Sequence, residues 1–176
     1  MKNLFYLTGM LLISACASRP EIVQRIPFDL AEYASLPSQG KASVTGQAYI
    51  KAADGSIRYP SHEMARLNPV TSYSRQWYEV NYLKRKNISL ADPRYLEYVY
   101  KADFDSEGRF SFSNIPAGQY YVSAPIFWMV ETRQDDGSII MKRHGTFICQ
   151  EISVEEGKTL VTTLSAEQAV NMASSN

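Results

Sequence analysis

Apolar residues along this chain recur mostly with period two, in short runs broken by turn residues, a rhythm that predicts an all-β sandwich. Residues 43–50 alternate loosely and stop at Asp54-Gly55, a favoured hairpin turn. Leu96, Tyr98, Tyr100, Ala102 and Phe104 alternate along one predicted strand, and the turn Asp105-Ser106-Glu107-Gly108 ends it. Phe110 and Phe112 then point the same way, before a second turn at Asn114-Ile115-Pro116-Ala117-Gly118. Residues 120–130 form a long apolar strand, in which Pro125 demands a bend, a bulge or an edge because it has no N–H for a ladder. Asp135-Asp136-Gly137 marks a hairpin, and residues 147–154 and 159–164 close the set around the polar turn at 155–158. This gives about seven strands. The stretch 57–93 is less regular; Trp77, Val80 and Leu83 stand near helical spacing within 74–86, and Asp92-Pro93 can cap a short helix.

Two regions lie outside this β rhythm. Lys2 precedes an apolar run at residues 4–13, which has the length of a secretory hydrophobic region and is too short to span a bilayer. Ile13-Ser14-Ala15-Cys16 follows, and it resembles the lipobox of bacterial lipoproteins. The resemblance implies cleavage after residue 15 and acylation (palmitate) of Cys16 as the mature N-terminus. The alternative is an ordinary signal peptide cut near Ala15 or Ala17. More than one acyl chain would anchor the protein stably, each buried methylene contributing about 0.8 kcal/mol. From Ala17 to about Ala42 no period is sustained and Pro20, Pro27, Pro37 and Gly40 intervene. This predicts a tether averaging about 28 Å end to end as a flexible coil, with Ile22-Val23 and Ile26-Phe28 able to dock. The expected organisation is therefore a signal at 1–15, a lipidated N-terminus and tether at 16–42, a β-sandwich domain at 43–165 and a small polar tail at 166–176.

Charge and cysteine content narrow the chemistry. The chain has 18 basic and 18 acidic side chains, and Lys2 is the one charge in the signal, so the mature balance is close to neutral. No basic cluster exceeds Lys84-Arg85-Lys86, which argues against nucleic acid as a partner. If Cys16 is lipidated, Cys149 is a single thiol in a predicted strand, best read as a small packed residue. A nucleophilic role would need a base, and His62 and His144 are the two histidines.

The stretch from Asp103 through Gly108, Phe110, Phe112, Pro116, Gly118 and Tyr120 to Val122 resembles the carboxypeptidase regulatory-like domains. These have a transthyretin-like (prealbumin-like) β-sandwich. The resemblance implies that a Gly turn leads into an alternating aromatic strand, and that a Pro-x-Gly-x-Tyr step starts the next strand on the opposite sheet. It covers twenty residues firmly and residues 43–164 loosely, and it speaks for fold more than function. The intradiol dioxygenases use a related sandwich with iron on two His and two Tyr, but here the histidines stand 82 positions apart. The chain also lacks the motifs of the transthyretin-fold hydrolases, any Gly-x-Ser-x-Gly elbow and any phosphate loop. No cofactor is expected, and the chain reads as non-catalytic.

Two constellations remain. Asp103-x-Asp105-x-Glu107-Gly108 has the opening spacing of a calcium loop but lacks the later bidentate Glu, so a polar turn is the plainer reading and calcium a weak one. Tyr73, Trp77, Tyr78 and Tyr82, with Tyr95, Tyr98 and Tyr100 beyond, either cover the sandwich or present a surface for a glycan or a protein partner. The expectation drawn from all this is a lipid-anchored outer-membrane lipoprotein facing the periplasm, whose β-sandwich binds or scaffolds another cell-envelope protein. A glycan- or peptidoglycan-binding module built on Trp77 and the nearby tyrosines is the alternative.

Overall fold

The computed structural model describes residues 21–52 and 55–167. The predicted signal at 1–15, Cys16, Asp54 of the first hairpin turn and the tail beyond residue 167 lie outside the described residues.

Ten strands make two four-stranded sheets and a short two-stranded one among the described residues. In the first sheet β2 (Ala42–Lys51) is central. One edge of β2 pairs in parallel with β10 (Thr159–Glu167), and the other pairs antiparallel with β3 (Ile57–Arg58) and β7 (Arg109–Ile115). The second sheet runs β6 (Tyr100–Asp103), β4 (Met64–Pro69), β8 (Gly118–Arg133), β9 (Ile139–Val154), antiparallel throughout. The third pairs β1 (Ile22–Val23) with β5 (Asn87–Ile88). The protein is an all-β sandwich, as the transthyretin-like resemblance implies.

Alternation decides what lies between the sheets. Val44, Ala48 and Ile50 of β2, and Phe110 and Phe112 of β7, point inward from the first sheet. Leu67 of β4, Val122 and Ile126 of β8, and Ile152 of β9 meet them from the second. Gly108 turns the chain into β7 with φ of 71°, and a Cβ there would stand 2.3 Å from the Ala48 carbonyl oxygen. The step at Pro116–Gly118 carries the chain from the first sheet to the second, where Tyr120 is buried and its hydroxyl donates to the Pro116 carbonyl at 2.9 Å. Pro125 sits past Ser123, the last β8 residue paired with β4, on a stretch then flanked by β9 alone. Beyond it β8 and β9 continue as a two-stranded ribbon whose turn has Gly137 at φ of 84°.

Three expectations are corrected. The segment predicted as a tether, with Ile22-Val23 and Ile26-Phe28 able to dock, is packed onto the domain from β1 onward, because single side chains along it find separate sockets. Tyr33, in the helix α1 (Leu30–Ala34), is fully buried, Phe28 stacks on it at 4.7 Å, and the Gly40 N–H donates to the Asn114 carbonyl. The strand expected from Leu96 begins at Tyr100 instead. Asp92 caps a 3-10 helix, Pro93–Tyr98, whose proline at the first turn fits a helix start better than a ladder. The helix expected across 74–86 starts at Ser72 and changes pitch, α2 (Ser72–Trp77) running straight into a π-helix, Tyr78–Leu83. No described helix is long and apolar enough to cross a membrane.

Candidate functional site

The outer face of the second sheet carries the site. Because Ala65, Leu67 and Pro69 of β4 point inward, Arg66 and Asn68 point outward, and the same alternation turns out Tyr121 and Ser123 of β8. Phe147 and Cys149 of β9 share that face, Ser123 being paired with Cys149. An exposed sheet face this apolar needs a cover, and α2, the π-helix, the 3-10 helix and the N-terminal segment provide one.

The cover is held by polar as well as aromatic contacts. Thr71 and Ser74 form a reciprocal capping box at the start of α2, and Thr71 Oγ1 donates to the Tyr33 hydroxyl at 2.9 Å. Glu32 of α1 accepts from the Ser72 N–H at 2.8 Å and from its hydroxyl at 2.6 Å. This sets a negative charge at the first turn of α2, where unpaired N–H groups favour it. Gln76 acts as a strand partner for the N-terminal segment, accepting from the Ile26 N–H at 2.9 Å and donating to the Gln24 carbonyl at 3.0 Å.

The four aromatic residues singled out in the sequence divide between two roles in this packing. Tyr78 stacks on the buried Tyr121 with ring centroids 4.4 Å apart, and Tyr82 stacks on Tyr78 at 5.3 Å. The Tyr82 hydroxyl also accepts from the Cys149 N–H at 3.0 Å, at the outer strand of the sheet. Tyr73 and Trp77 instead line a cleft of about 90 Å³, together with Tyr95 of the 3-10 helix. Trp77 is propped edge-on against Phe147, 5.6 Å between centroids.

The base of the cleft is polar. Asn68 and Tyr121 are cross-strand neighbours there, and the Asn68 Oδ1 and the Tyr121 hydroxyl are both buried with no hydrogen-bond partner among the described residues. Burial pushes the Tyr121 hydroxyl pKa up to about 12, so it is a neutral donor and acceptor at any ordinary pH. Neither atom stands out in the sequence, since its lack of a partner depends on what lies across the strand and above the sheet. A wider groove of about 390 Å³ lies between α1, the 3-10 helix and the start of β8, but its buried hydroxyls, Tyr33 and Tyr120, are already bonded.

Other sequence candidates fall away from this cleft or serve it passively. Cys149 borders the cleft, yet burial, with the Glu151 charge second, pushes its thiol up to about 12. His144 is five residues along β9, roughly 17 Å away at strand rise, and stacks on Trp128 instead. Asp105 Oδ1 accepts from the Glu107 and Arg109 N–H groups at 2.8 Å each, and the Arg109 guanidinium pairs with both carboxylates. Asp105 and Glu107 are thus a turn closed on Arg109, Asp103 ends β6 opposite Met64, and no described cluster of three His, Cys, Asp or Glu is placed to hold a metal.

No protein-family profile and no curated protein matches the chain. Among solved structures, a Pseudomonas aeruginosa protein described as a candidate carbohydrate-binding protein shares 30% identity at a TM-score of 0.65, over 81% of this chain and 99% of that one. The major pilin subunit BcpA of Bacillus cereus overlays with a TM-score of 0.35 at 15% identity, over 76% of this chain and 31% of that chain. The minor pilin GBS52 of Streptococcus agalactiae overlays with a TM-score of 0.25 at 10% identity, over 77% of this chain and 100% of that chain. At 30% identity across 99% of the Pseudomonas aeruginosa protein, this chain belongs to the same family.

Proposed function

We propose that the protein is a non-catalytic carbohydrate-binding module whose sugar enters the cleft on the outer face of the second sheet. The observation that carries this reading is the pair of unpartnered groups, Asn68 Oδ1 and the Tyr121 hydroxyl, at the base of a cleft walled by Trp77, Tyr95 and Phe147. Leaving a buried polar group unpaired costs about 1–3 kcal/mol, which a ligand bearing several hydroxyls can recover. A turn of the Asn68 side chain brings its amide to such a hydroxyl, while the aromatic walls suit the apolar C–H face of a pyranose. The family relative's description points the same way. Isothermal titration against a panel of soluble oligosaccharides tests the proposal, with Asn68→Ala and Trp77→Ala as variants. Saturable binding weakened at least tenfold by either variant is the expected result. No heat with any sugar removes the proposal.

The module is also read as an exported lipoprotein, acylated at Cys16, on the periplasmic side of an outer membrane. Lys2, the apolar run at 4–13 and Ser14-Ala15-Cys16 in that order support it. Cys16→Ala should shift the protein from the membrane to the soluble fraction and remove the acyl mass. An envelope-protein partner is the second functional reading. It is favoured by the β8–β9 ribbon, on which Met129, Ile139 and Met141 are each more than half exposed. Closer membership of the carboxypeptidase regulatory-like group rests on the stretch from Asp103 to Val122.

A further inference from the structure

Resting on the carbohydrate reading of the cleft, we infer that its ligand is an acidic saccharide, whose anionic group is met by Arg66 and Arg25. Both guanidiniums line the cleft, and no aspartate or glutamate does. Arg25 is already oriented. Its backbone N–H donates to Ser89 Oγ at 2.9 Å, its Nε donates to the Ser89 carbonyl at 2.7 Å, and its guanidinium lies 5.2 Å over the Tyr73 ring. This leaves the terminal nitrogens for a ligand, and a fixed planar fork suits a carboxylate or a sulfate ester.

Arg66 has the opposite character. It stands directly opposite Lys101 across β4 and β6 and opposite Ser123 across β4 and β8, and makes no ion pair among the described residues. Lys101 makes none either. Like charges directly across two strands destabilise a sheet. The carboxylates closest by register, Asp103 opposite Met64 and Glu151 opposite Tyr121, do not line the cleft, although the Glu151 charge is felt at Tyr121 and Cys149. Arg94 contrasts with both, because Asp92 neutralises it at 2.7 Å. The side of the sheet that carries the unpartnered hydroxyl and amide therefore also carries two arginines lining the cleft, Arg66 with no ion pair among the described residues, and a sugar with an acidic substituent answers both.

The test is calorimetric titration of the protein with matched oligosaccharides in several sugar series, at low and at raised salt. Each series has a uronic-acid member, its carboxyl-reduced neutral counterpart and a sulfated member. The acidic members should bind at least tenfold more tightly than the neutral one, with salt weakening only the acidic ligands. Arg66→Gln should abolish that preference, bringing the acidic members down to the affinity of the neutral one, with the melting temperature unchanged or slightly raised. Preference for the uronate or for the sulfate ester then identifies the anion. Equal binding of acidic and neutral members, with Arg66→Gln inert, overturns the acidic class and leaves the carbohydrate reading standing. No binding by any member overturns both.

Discussion

Tyr78 lies nearly flat on Tyr121, ring centroids 4.4 Å apart and planes 20° from parallel, a stack that, with the Tyr82–Cys149 hydrogen bond, fastens the π-helical turn to the second sheet. Tyr121 is 1% exposed and Tyr78 half-buried, which makes the pair the joint between scaffold and cover. On the other side of Tyr121, across the strand, stands Asn68. The stack therefore fixes the tyrosine whose hydroxyl sits at the base of the cleft, and stability and site geometry share a residue.

Removing this stack should cost stability first. Tyr78→Ala is expected to lower unfolding free energy by about 3 kcal/mol, through lost burial and the lost ring pair. Tyr78→Phe should stay within about 1 kcal/mol of the parent, because the Tyr78 hydroxyl makes no hydrogen bond among the described residues. Urea denaturation of the two variants measures this. A Tyr78→Ala protein of parental stability would show that Tyr78 does not pin the cover.

The N-terminal segment should prove integral to the domain. Tyr33 is fully buried between Phe28 and Tyr98 and accepts the Thr71 hydroxyl bond. Tyr33→Ala should cost about 3–5 kcal/mol. Tyr33→Phe should cost about 1–2 kcal/mol, since Thr71 stays buried and loses its acceptor. Proteolysis makes the same point: cleavage between residues 21 and 40 should be slow in the folded protein, and rapid cutting there would restore the tether.

What was legible in the sequence follows from which signals are local. Phe110 and Phe112 two apart, Gly108 before them and the Pro116–Gly118 step after them each carry their reason within a few residues. The sandwich could be read from them. Ile22-Val23 and Ile26-Phe28 could be seen as able to dock, but the anchoring of Tyr33 and Gly40 could not: Tyr33 meets Thr71 38 positions away and the Gly40 N–H meets the Asn114 carbonyl 74 away, with no period to betray either. Leu96 and Tyr98 alternate as a strand would, yet Asp92-Pro93 starts a 3-10 helix through them, so capping outweighed pattern. Of the aromatic residues chosen for the site, Tyr73 and Trp77 reach the cleft while Tyr78 and Tyr82 pack beneath the cover. Asn68, Tyr121 and Arg66 went unseen because their significance lies in cross-strand neighbours.

Gly108 offers a test of the turn that enters the aromatic strand. Its φ of 71° is unfavourable for any residue with a Cβ, and that Cβ would meet the Ala48 carbonyl at 2.3 Å, a backbone atom of β2, which is paired with β10. Gly108→Ala should destabilise by about 2–4 kcal/mol, combining backbone strain with a displaced β2. Gly137→Ala, in the open ribbon turn at φ of 84° with nothing within 4 Å, should cost only about 1 kcal/mol. Thermal melts of the pair should keep that order, and equal losses would show that close approach to β2 does not matter at Gly108.

Alkaline pH should expose the buried acids together. Burial pushes the hydroxyls of Tyr120 and Tyr121 up to about 12 from 10.0, and the Cys149 thiol up to about 12 from 9.0. Each is an acid that the fold keeps neutral, so its folded pKa lies above its unfolded one. The stability each adds is complete below the unfolded value and is lost as pH rises through the folded value. Loss should therefore begin near pH 9 as Cys149 enters its window, steepen above pH 10 as the tyrosines join, and be complete near pH 12. Phenolate absorbance and far-ultraviolet circular dichroism, followed together, should show Tyr120 and Tyr121 ionising in a cooperative step coincident with loss of the sheet signal. Below pH 9 Cys149 should resist alkylation until urea is added. If every tyrosine ionises smoothly while the sheet signal persists, Tyr120 and Tyr121 are not held in the neutral form by burial, and the hydroxyl at the base of the cleft is open to solvent.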